Sequence, residues 1–191
     1  CCAPHVKLTG EVGIIRLIDA IKYKGGTRVT MVCGFRALKD YRMKESNIRE
    51  ISRMLSAKPE ESAQAVKRLQ DEAKSWREKL IQTQSRAMEQ ILENLPEHVE
   101  NYLVFKKDVD KNVARRFVDE GKSKCQGICG IFLGNDEDGY RYILGSESVD
   151  LKAFSKTFHE TLGGKGGGKG EMMQGTVNAS EETIRNYIEK K

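Results

Sequence analysis

The sequence predicts a fold of mixed class, α+β or α/β, with one long helix in its middle. Three observations support this prediction. β-branched residues dominate two short segments before residue 35, and apolar residues recur at helical spacing from 61 to 95. Strand-like and helix-like segments then alternate from 97 to 191. A chain of 191 residues is long enough for one or two domains with at least one hydrophobic core.

The composition argues against a protein that spans a membrane. The hydrophobic fraction is 38% and the charged fraction is 32%, which is typical of a helix-rich protein with one long exposed segment. No apolar run approaches the roughly 18 residues of a membrane-spanning helix. The odd number of five cysteines favours reduced thiols and a cytoplasmic location. Because the chain begins with Cys1 and Cys2 rather than Met, we expect it to be part of a longer protein.

The positive charge of the chain is concentrated near its start. The net charge is +5, and residues 1–56 carry 11 basic against 5 acidic side chains. Such an excess is expected of a segment that contacts a polyanion, but it also fits an ordinary solvated surface. Charge alone leaves both interpretations open.

The first segment, residues 1–56, is predicted to form two strands and a helix. "EVGIIRLIDAIKYK" and "TRVTMVCG" are rich in β-branched residues, and Gly25–Gly26 between them indicates a turn. The second strand is expected to end at Gly34. From Phe35 onward the apolar residues follow a helical period, at Leu38, Tyr41, Ile48, Ile51 and Leu55.

The second segment, residues 57–96, is predicted to be one long helix. Pro59 suits its first turn and Pro96 ends it. Steps of three and four residues give a heptad seam, which predicts either a coiled coil that forms a homodimer through residues 61–95 or a hairpin with residues 36–56. The two alternatives can coexist. The seam consists of Val66, Leu69, Ala73, Trp76 and Leu80, with Thr83 and Ala87 in phase.

The third segment, residues 97–191, is predicted to be a small α/β domain. "NYLVFKK" indicates a strand and "KNVARRFVDEGKSK" an amphipathic helix, and two further strands flank the turn "DEDG". "DLKAFSKTFHETL" indicates a second helix, which a glycine-rich loop and a short strand follow. A last helix is expected to begin after Ser180 as its N-cap.

Cysteine and histidine pairs are the candidate metal ligands. Cys1 and His5 have the spacing of a ligand pair, but a zinc site needs three or four ligands, and His98 and His159 lie far along the chain. Cys125 and Cys129 are interpreted as buried free thiols rather than a ligand or redox pair, because no histidine lies near them in sequence.

The glycine-rich segment 163–170 is a candidate anion-binding loop. Glycines let backbone N–H groups approach a phosphate, and Lys165 and Lys169 add positive charge. The spacing differs from the Walker nucleotide-binding pattern, so nucleotide hydrolysis is not supported. The alternative is a passive linker between a helix and a strand. The candidate nucleic-acid-binding residues are Gly163, Gly164, Lys165, Gly166, Gly167, Gly168, Lys169 and Gln174.

Two motifs in this order resemble those of one family. "CCAPHVKLTGEVGIIRL" resembles the second metal-binding motif of the editing domain shared by alanyl-tRNA synthetases and AlaX editing proteins. "LGGKGGGKGEMMQGTV" resembles the glycine-rich loop of the DHH-associated domain that ends synthetases and long AlaX proteins. Cys2, Ala3 and Pro4 depart from the family's pattern. The matching residues of the first motif are Cys1, His5, Val6, Thr9, Gly10, Glu11 and Gly13.

The resemblance implies an architecture and a function. Residues 1–56 would be the C-terminal remnant of an editing domain, 57–96 a coiled-coil connector and 97–191 the DHH-associated domain. Cys1 and His5 would be half of a zinc site, with zinc as cofactor of the full-length parent, and Thr9 and Gly10 would bind substrate. The implied activity is hydrolysis of Ser or Gly from mischarged tRNA for alanine, with this fragment alone expected to be inactive.

Two alternatives to the editing protein stay open. The chain could be the C-terminal region of an alanyl-tRNA synthetase, which is a ligase. It could also be a tRNA-binding and dimerisation module with no chemistry of its own. The helix that begins in "CGFRALKDY" favours the free-standing editing type.

Overall fold

The computed structural model describes residues 4–96 and 99–189. The chain divides into two compact units, Cys1–Ala73 and Lys74–Lys191. Helices and strands are mixed in the chain, as the sequence predicts. No helix in the described part of the chain is both long enough and apolar enough to cross a membrane. The division at residues 56 and 96 stays a prediction.

The first unit is a β-hairpin followed by helices. Its tight turn has Lys24 at φ 41° and Gly25 at φ 80°, the left-handed pair that a two-residue hairpin turn requires. The two strands are antiparallel, with Ile15 opposite Cys33 and Tyr23 opposite Gly26. The elements are a 3₁₀ turn Thr9–Val12, β1 Ile15–Tyr23, β2 Gly26–Cys33, α1 Gly34–Leu55, a 3₁₀ turn Pro59–Glu61 and the start of α2 Ser62–Glu93.

Polar contacts hold the hairpin and helices of the first unit together. The guanidinium of Arg16 in β1 lies 2.8 Å from the carboxylate of Asp40 in α1 and 4.4 Å from the ring centre of Tyr41. The hydroxyls of Ser52 and Ser62 lie 3.1 Å apart where α1 meets the start of α2, and both residues are buried.

The heptad seam of α2 is exposed in the single chain. Val66 and Leu69 in the first unit are 39% and 56% exposed, so α1 does not cover them, and the predicted hairpin with residues 36–56 is wrong for these two side chains. The physical reason is that α1 contacts the 3₁₀ turn Pro59–Glu61 and the first residue of α2, where Ser52 and Ser62 meet. These contacts lie before Val66 and Leu69 in the chain. In the second unit, Trp76 and Leu80 are also exposed.

The second unit is a five-stranded sheet with helices on both faces. The strand order is β3-β4-β5-β7-β6, and β3–β4 is the parallel pair in an otherwise antiparallel sheet. The elements after the end of α2 are β3 Tyr102–Lys106, α3 Lys111–Gly121, β4 Cys129–Asn135, β5 Gly139–Gly145, α4 Leu151–Leu162, β6 Lys165–Lys169, β7 Met172–Val177 and α5 Glu181–Glu189.

Two apolar layers form the core of the second unit. On one face of the sheet, α4 and α5 bury an aromatic-rich cluster. On the other face, α3 and the end of α2 cover mainly β3, β4 and β5. The first layer includes Phe132, Tyr142, Leu144, Phe154, Phe158, Met173 and Ile184, and the second includes Met88, Leu92, Val104, Val113, Phe117, Ile131 and Ile143.

The glycine-rich segment is a strand rather than a loop. Lys165–Lys169 form the edge strand β6, which pairs along its length with β7. The sequence prediction of a loop is therefore wrong for these residues. Glycine has a low propensity for strands, but hydrogen bonds to the backbone of β7 hold this segment in an extended conformation. The turn that joins the two strands contains Gly170 at φ 68°.

In the second unit, the predicted cap of α5 is confirmed, and the prediction of a buried free thiol is confirmed for Cys129 but not for Cys125. The hydroxyl of Ser180 accepts a hydrogen bond from the backbone N–H of Thr183 at 3.4 Å, which confirms the predicted cap of α5. Cys129 is a fully buried free thiol, as predicted, and Cys125 is half-buried. The hydrogen bond between the two thiols raises the pKa of Cys129 and lowers the pKa of Cys125.

Candidate nucleic-acid interface

One face of the sheet is left partly open at the β5, β7 and β6 side. Tyr140, Tyr142 and Leu144 of β5 point into the layer under α4 and α5, so the alternate residues Arg141 and Ile143 point to the α3 side. Because α3 packs on β4 and β5, whereas α4 packs on β6 and β7, the described helices of the second unit leave the α3 side of β6 and β7 open.

Strand register gathers the predicted lysines on this open face. Thr176 lies opposite Arg141 on one side and opposite Lys165 on the other, and Gln174 lies between Ile143 and Gly167 in the same way. The side-chain period of two places Lys169 on the same side as Lys165. Both lysines are exposed.

Helix α3 adds two cations to the rim of the open face. The carboxylate of Asp110 caps α3 by accepting from the N–H of Asn112 at 2.9 Å, and the N–H of Asp110 donates to Oε1 of Gln84 at 2.9 Å. This fixes the start of the helix, where Lys111 and Arg115 are exposed one turn apart.

The cations around this face form no close ion pair, although Arg115 interacts electrostatically with Asp119. Within residues 4–96 and 99–189, the ion pairs of the second unit involve none of them. Their charges are therefore available to an anionic ligand. The five side chains are Lys111, Arg115, Arg141, Lys165 and Lys169.

A groove runs across the open face. Its larger part is a cavity of about 510 Å³ with a floor that includes Val109, Leu133 and Ile143. A smaller cavity of about 140 Å³ lies towards Lys169. The two share Ile143 and Gln174, so they lie side by side. The larger cavity is also lined by Lys111, Arg141, Gly175, Thr176 and the acidic residues Asp108 and Asp110.

On the opposite side, the glycines allow close packing. A Cβ atom at Gly166 would lie 2.7 Å from the hydroxyl oxygen of Tyr142, and one at Gly175 would lie 2.8 Å from it. A Cβ at Gly164 would lie 2.9 Å from the ring of His159. These glycines therefore have a structural role, which the sequence prediction of a phosphate-binding loop did not include.

Gly167 differs from its neighbours in the strand. A Cβ atom there would meet nothing within 4 Å, so packing does not explain its lack of a side chain. Of the predicted nucleic-acid-binding residues, the structure places Lys165, Gly167, Lys169 and Gln174 together on the open face. Gly164, Gly166 and Gly168 are packed closely, and Gly163 ends α4 at φ 65°.

Sequence reasoning missed the contributions of β5 and α3 to this face. Arg141 stands between two tyrosines in "YRYILG", so the strand period could have placed it on the opposite face from the aromatic core. No signal in the sequence relates Lys111 and Arg115 to a strand that begins some fifty residues later, since that relationship is set by the sheet order.

The candidate metal and substrate residues lie in the first unit. Cys1 lies outside the described residues. His5 is exposed, with Nδ1 3.0 Å from the carbonyl oxygen of Val6, and Thr9 and Gly10 are exposed in the first 3₁₀ turn. Among the residues that the structure describes, no group of three or more His, Cys, Asp or Glu side chains could hold a metal ion.

Comparison with known proteins identifies one matching domain family and a set of similar proteins. Residues 99–190 match the DHHA1 domain family. The chain is similar to alanine–tRNA ligase of Magnetococcus marinus, with 31% identity over 190 residues, which cover 92% of this chain and 21% of the relative. The ligase of Nitrosospira multiformis is 25% identical over the whole chain and 24% of the relative. That of Sulfurisphaera tokodaii is 29% identical over 98% of the chain and 21% of the relative.

Proposed function

We propose that the chain is the tRNA-binding C-terminal region of a protein of the alanyl-tRNA synthetase type. Two findings support this proposal. Residues 99–190 match the DHHA1 domain, and nearly the whole chain is similar to a segment that makes up about a fifth to a quarter of the length of alanine–tRNA ligases. Ligase activity would belong to the rest of such a protein. This chain would contribute binding and orientation of tRNA for alanine.

The unpaired cations on the open sheet face carry this proposal. Arg141, Lys165 and Lys169 lie on adjacent strands, and α3 adds Lys111 and Arg115 at the rim. Phosphates of a nucleic-acid backbone are the natural partners of such a row, and these contacts fix position rather than read sequence. Gly167, with open space before it, would let a phosphate approach the backbone of β6.

An editing hydrolase is the second candidate function. The opening motif that contains Cys1, His5, Thr9 and Gly10 favours it. In that case Cys1 and His5 would hold part of a zinc site, and the ion would orient the aminoacyl end of the tRNA. The relatives favour the ligase-type parent, because the similar proteins are alanine–tRNA ligases.

A homodimer is the assembly that we propose for the chain. The exposed seam of α2 includes Leu69, Trp76 and Leu80, which are 56%, 67% and 56% exposed. A second copy of the same helix, with the same spacing of three and four residues, is the partner that a heptad seam fits. Pairing would remove these side chains from water.

Binding of a tRNA transcript to paired lysine variants tests the proposed function. In the first variant, Lys165→Ala and Lys169→Ala remove two charges from the open face. In the matched control, Lys67→Ala and Lys74→Ala remove two exposed charges from α2, and neither residue lines the groove. We expect the first variant to bind tRNA for alanine about tenfold more weakly or worse and the control to bind nearly as wild type, because each contact to phosphate contributes separately. Equal loss in both variants, or no loss in either, would overturn the assignment of this face.

A further inference from the structure

The groove on the open face is larger and more apolar than phosphate binding requires. Backbone phosphates can be held by exposed cations on a convex surface. The cavity of about 510 Å³ is instead in the size range of sites that enclose small organic ligands, about 300–1,000 Å³. We therefore expect an organic ligand here rather than a simple anion.

The floor of the groove includes three aliphatic side chains. Ile143 projects from β5 and is 7% exposed, and Val109 is 6% exposed. Leu133 of β4 is half-buried and continues the floor. A flat, partly apolar ring is the kind of group that such a surface can cover.

The rim of the groove has donors and acceptors as well as charge. The amide of Gln174 can both donate and accept, and the hydroxyl of Thr176 can do the same. Lys111 and Arg141 supply positive charge, and the carboxylate of Asp108 supplies an acceptor for hydroxyl or amino groups. The carboxylate of Asp110 is already occupied by the cap of α3.

This mixture selects against simpler ligands. A bare inorganic anion would leave the apolar floor and the carboxylate of Asp108 without a partner, and the charged and amide groups would lose their hydration to a purely apolar ligand. A nucleotide combines a flat base with polar edges, ribose hydroxyls and a phosphate, and so matches each part of the groove.

We propose that the groove between α3 and β6 binds one unstacked nucleotide, with its base on Ile143, the polar edge of the base at Gln174 and Thr176, and its phosphate at Arg141 and Lys111. The proposal rests on the proposed function, because it adds a specific site for one unpaired base of the bound tRNA to the general contacts with the backbone. Bases that leave their stack are the part of an RNA that proteins read in this manner.

Methyl NMR of the full chain tests the site. The δ1 methyl of Ile143 is observed while AMP, CMP, GMP or UMP is added, and Ile143→Val identifies its signal. We expect a saturable shift at Ile143, because the base ring lies over that methyl group. The methyls of Ile184 and Ile188, which are buried in the layer on the other face of the sheet, should not move. Ribose 5-phosphate, which has no base, should leave Ile143 unchanged.

A variant pair separates the site from general charge effects. Arg141→Ala should raise the Kd for AMP about fivefold, as expected for a partly exposed contact between charges. Arg86→Ala removes an exposed charge from α2, away from the groove, and should leave the Kd unchanged. An equal effect of both variants, or an Arg141→Ala protein that binds AMP as wild type does, would contradict the assigned phosphate position.

Two results would overturn the proposal, and both differ from failure of the proposed function. If millimolar mononucleotides cause no shift at Ile143, the proposed site is disproved, even if the chain still binds tRNA. A shift with ribose 5-phosphate as large as that with AMP would reduce the groove to an anion site. Nucleotide shifts in a chain that does not bind tRNA would support the site and overturn the tRNA-binding function.

Discussion

The hydroxyl of Tyr142 lies 2.5 Å from Nε2 of His159, directly beneath the paired glycines 166 and 175. Burial raises the pKa of Tyr142 to about 12, so its hydroxyl keeps its proton at neutral pH. The pair joins β5 to the last turn of α4 and sets how closely the glycine-rich hairpin packs on the helix layer.

Alanine at Gly166 and alanine at Gly167 should have opposite outcomes. The new methyl at Gly166 would lie 2.7 Å from the Tyr142 hydroxyl, whereas the one at Gly167 would enter open space. We expect Gly166→Ala to reduce the free energy of unfolding by about 1–3 kcal/mol, as overpacking does. Gly167→Ala should be neutral or slightly stabilising, since glycine in a strand costs about 0.5–1 kcal/mol. Urea unfolding of both variants measures the difference, and equal stabilities would show that the close packing at Gly166 is absent.

Removal of the two lysines of β6 should change the salt dependence of tRNA binding. Each phosphate contact releases counterions and contributes about 0.9 to the slope of log K against log salt concentration. Lys165→Ala with Lys169→Ala should therefore lower the magnitude of the slope by up to about two contacts. Wild-type chain should also bind different tRNA sequences with similar affinity, because backbone contacts carry little base information. Filter binding across a salt series gives both quantities, and an unchanged slope would shift the RNA contact to the hairpin tip around Lys22, Lys24 and Arg28.

The seam of α2 should determine the mass of the protein in solution. Leu69→Lys with Leu80→Lys places charge in an apolar seam and should convert a dimer into a monomer. Ser75→Lys with Gln82→Lys adds the same charge on another side of the helix and should leave the dimer intact. Light scattering at tens of micromolar protein distinguishes these cases, and a monomeric wild-type chain would rule out the homodimer.

Acid should weaken the contact between the β4–β5 turn and the start of α5. The N–H of Glu181 and the hydroxyl of Tyr140 each donate to Asp136 at 2.8 Å, and together they hold the pKa of Asp136 below its usual value. Because the folded-state pKa is lower than the unfolded-state value of about 3.9, the stabilisation is fully present above about pH 4. It is lost as the pH falls through the folded-state pKa.

The variant Asp136→Asn tests this pH dependence. It should be less stable than wild type at neutral pH, and the loss should shrink as the pH falls below about 4. Glu137→Gln, at an exposed neighbouring position, serves as the control and should follow the wild-type curve. Urea midpoints measured over the acid range give the comparison, and a constant difference between Asp136→Asn and wild type would contradict the linkage.

Zinc should bind this chain weakly or not at all. Cys1 and His5 would supply only two ligands, and two ligands leave the ion mostly hydrated, whereas a protein site uses three or four. Elemental analysis of the purified chain should give well under one zinc per molecule. A tight, stoichiometric zinc ion would show that further ligands complete the site.

The sequence predicts local elements well where periodicity is strong. The two strands before residue 35, the long helix and the cap at Ser180 agree with the structure. The glycine-rich strand was missed because its stability comes from pairing with β7 rather than from its own propensity. The groove could not be predicted, because Arg141 and Lys111 meet only through the sheet order and the placement of α3.

The glycine-rich edge strand has a thermodynamic consequence for any ligand that it holds. Residues Gly166–Gly168 have no side chains, and β6 is bonded to a neighbour along one edge, so this backbone keeps more freedom than a central strand does. A nucleic-acid backbone that binds to β6 would reduce this conformational freedom. Binding there should therefore combine a favourable enthalpy with an entropic cost, so that affinity remains moderate and the ligand is released readily.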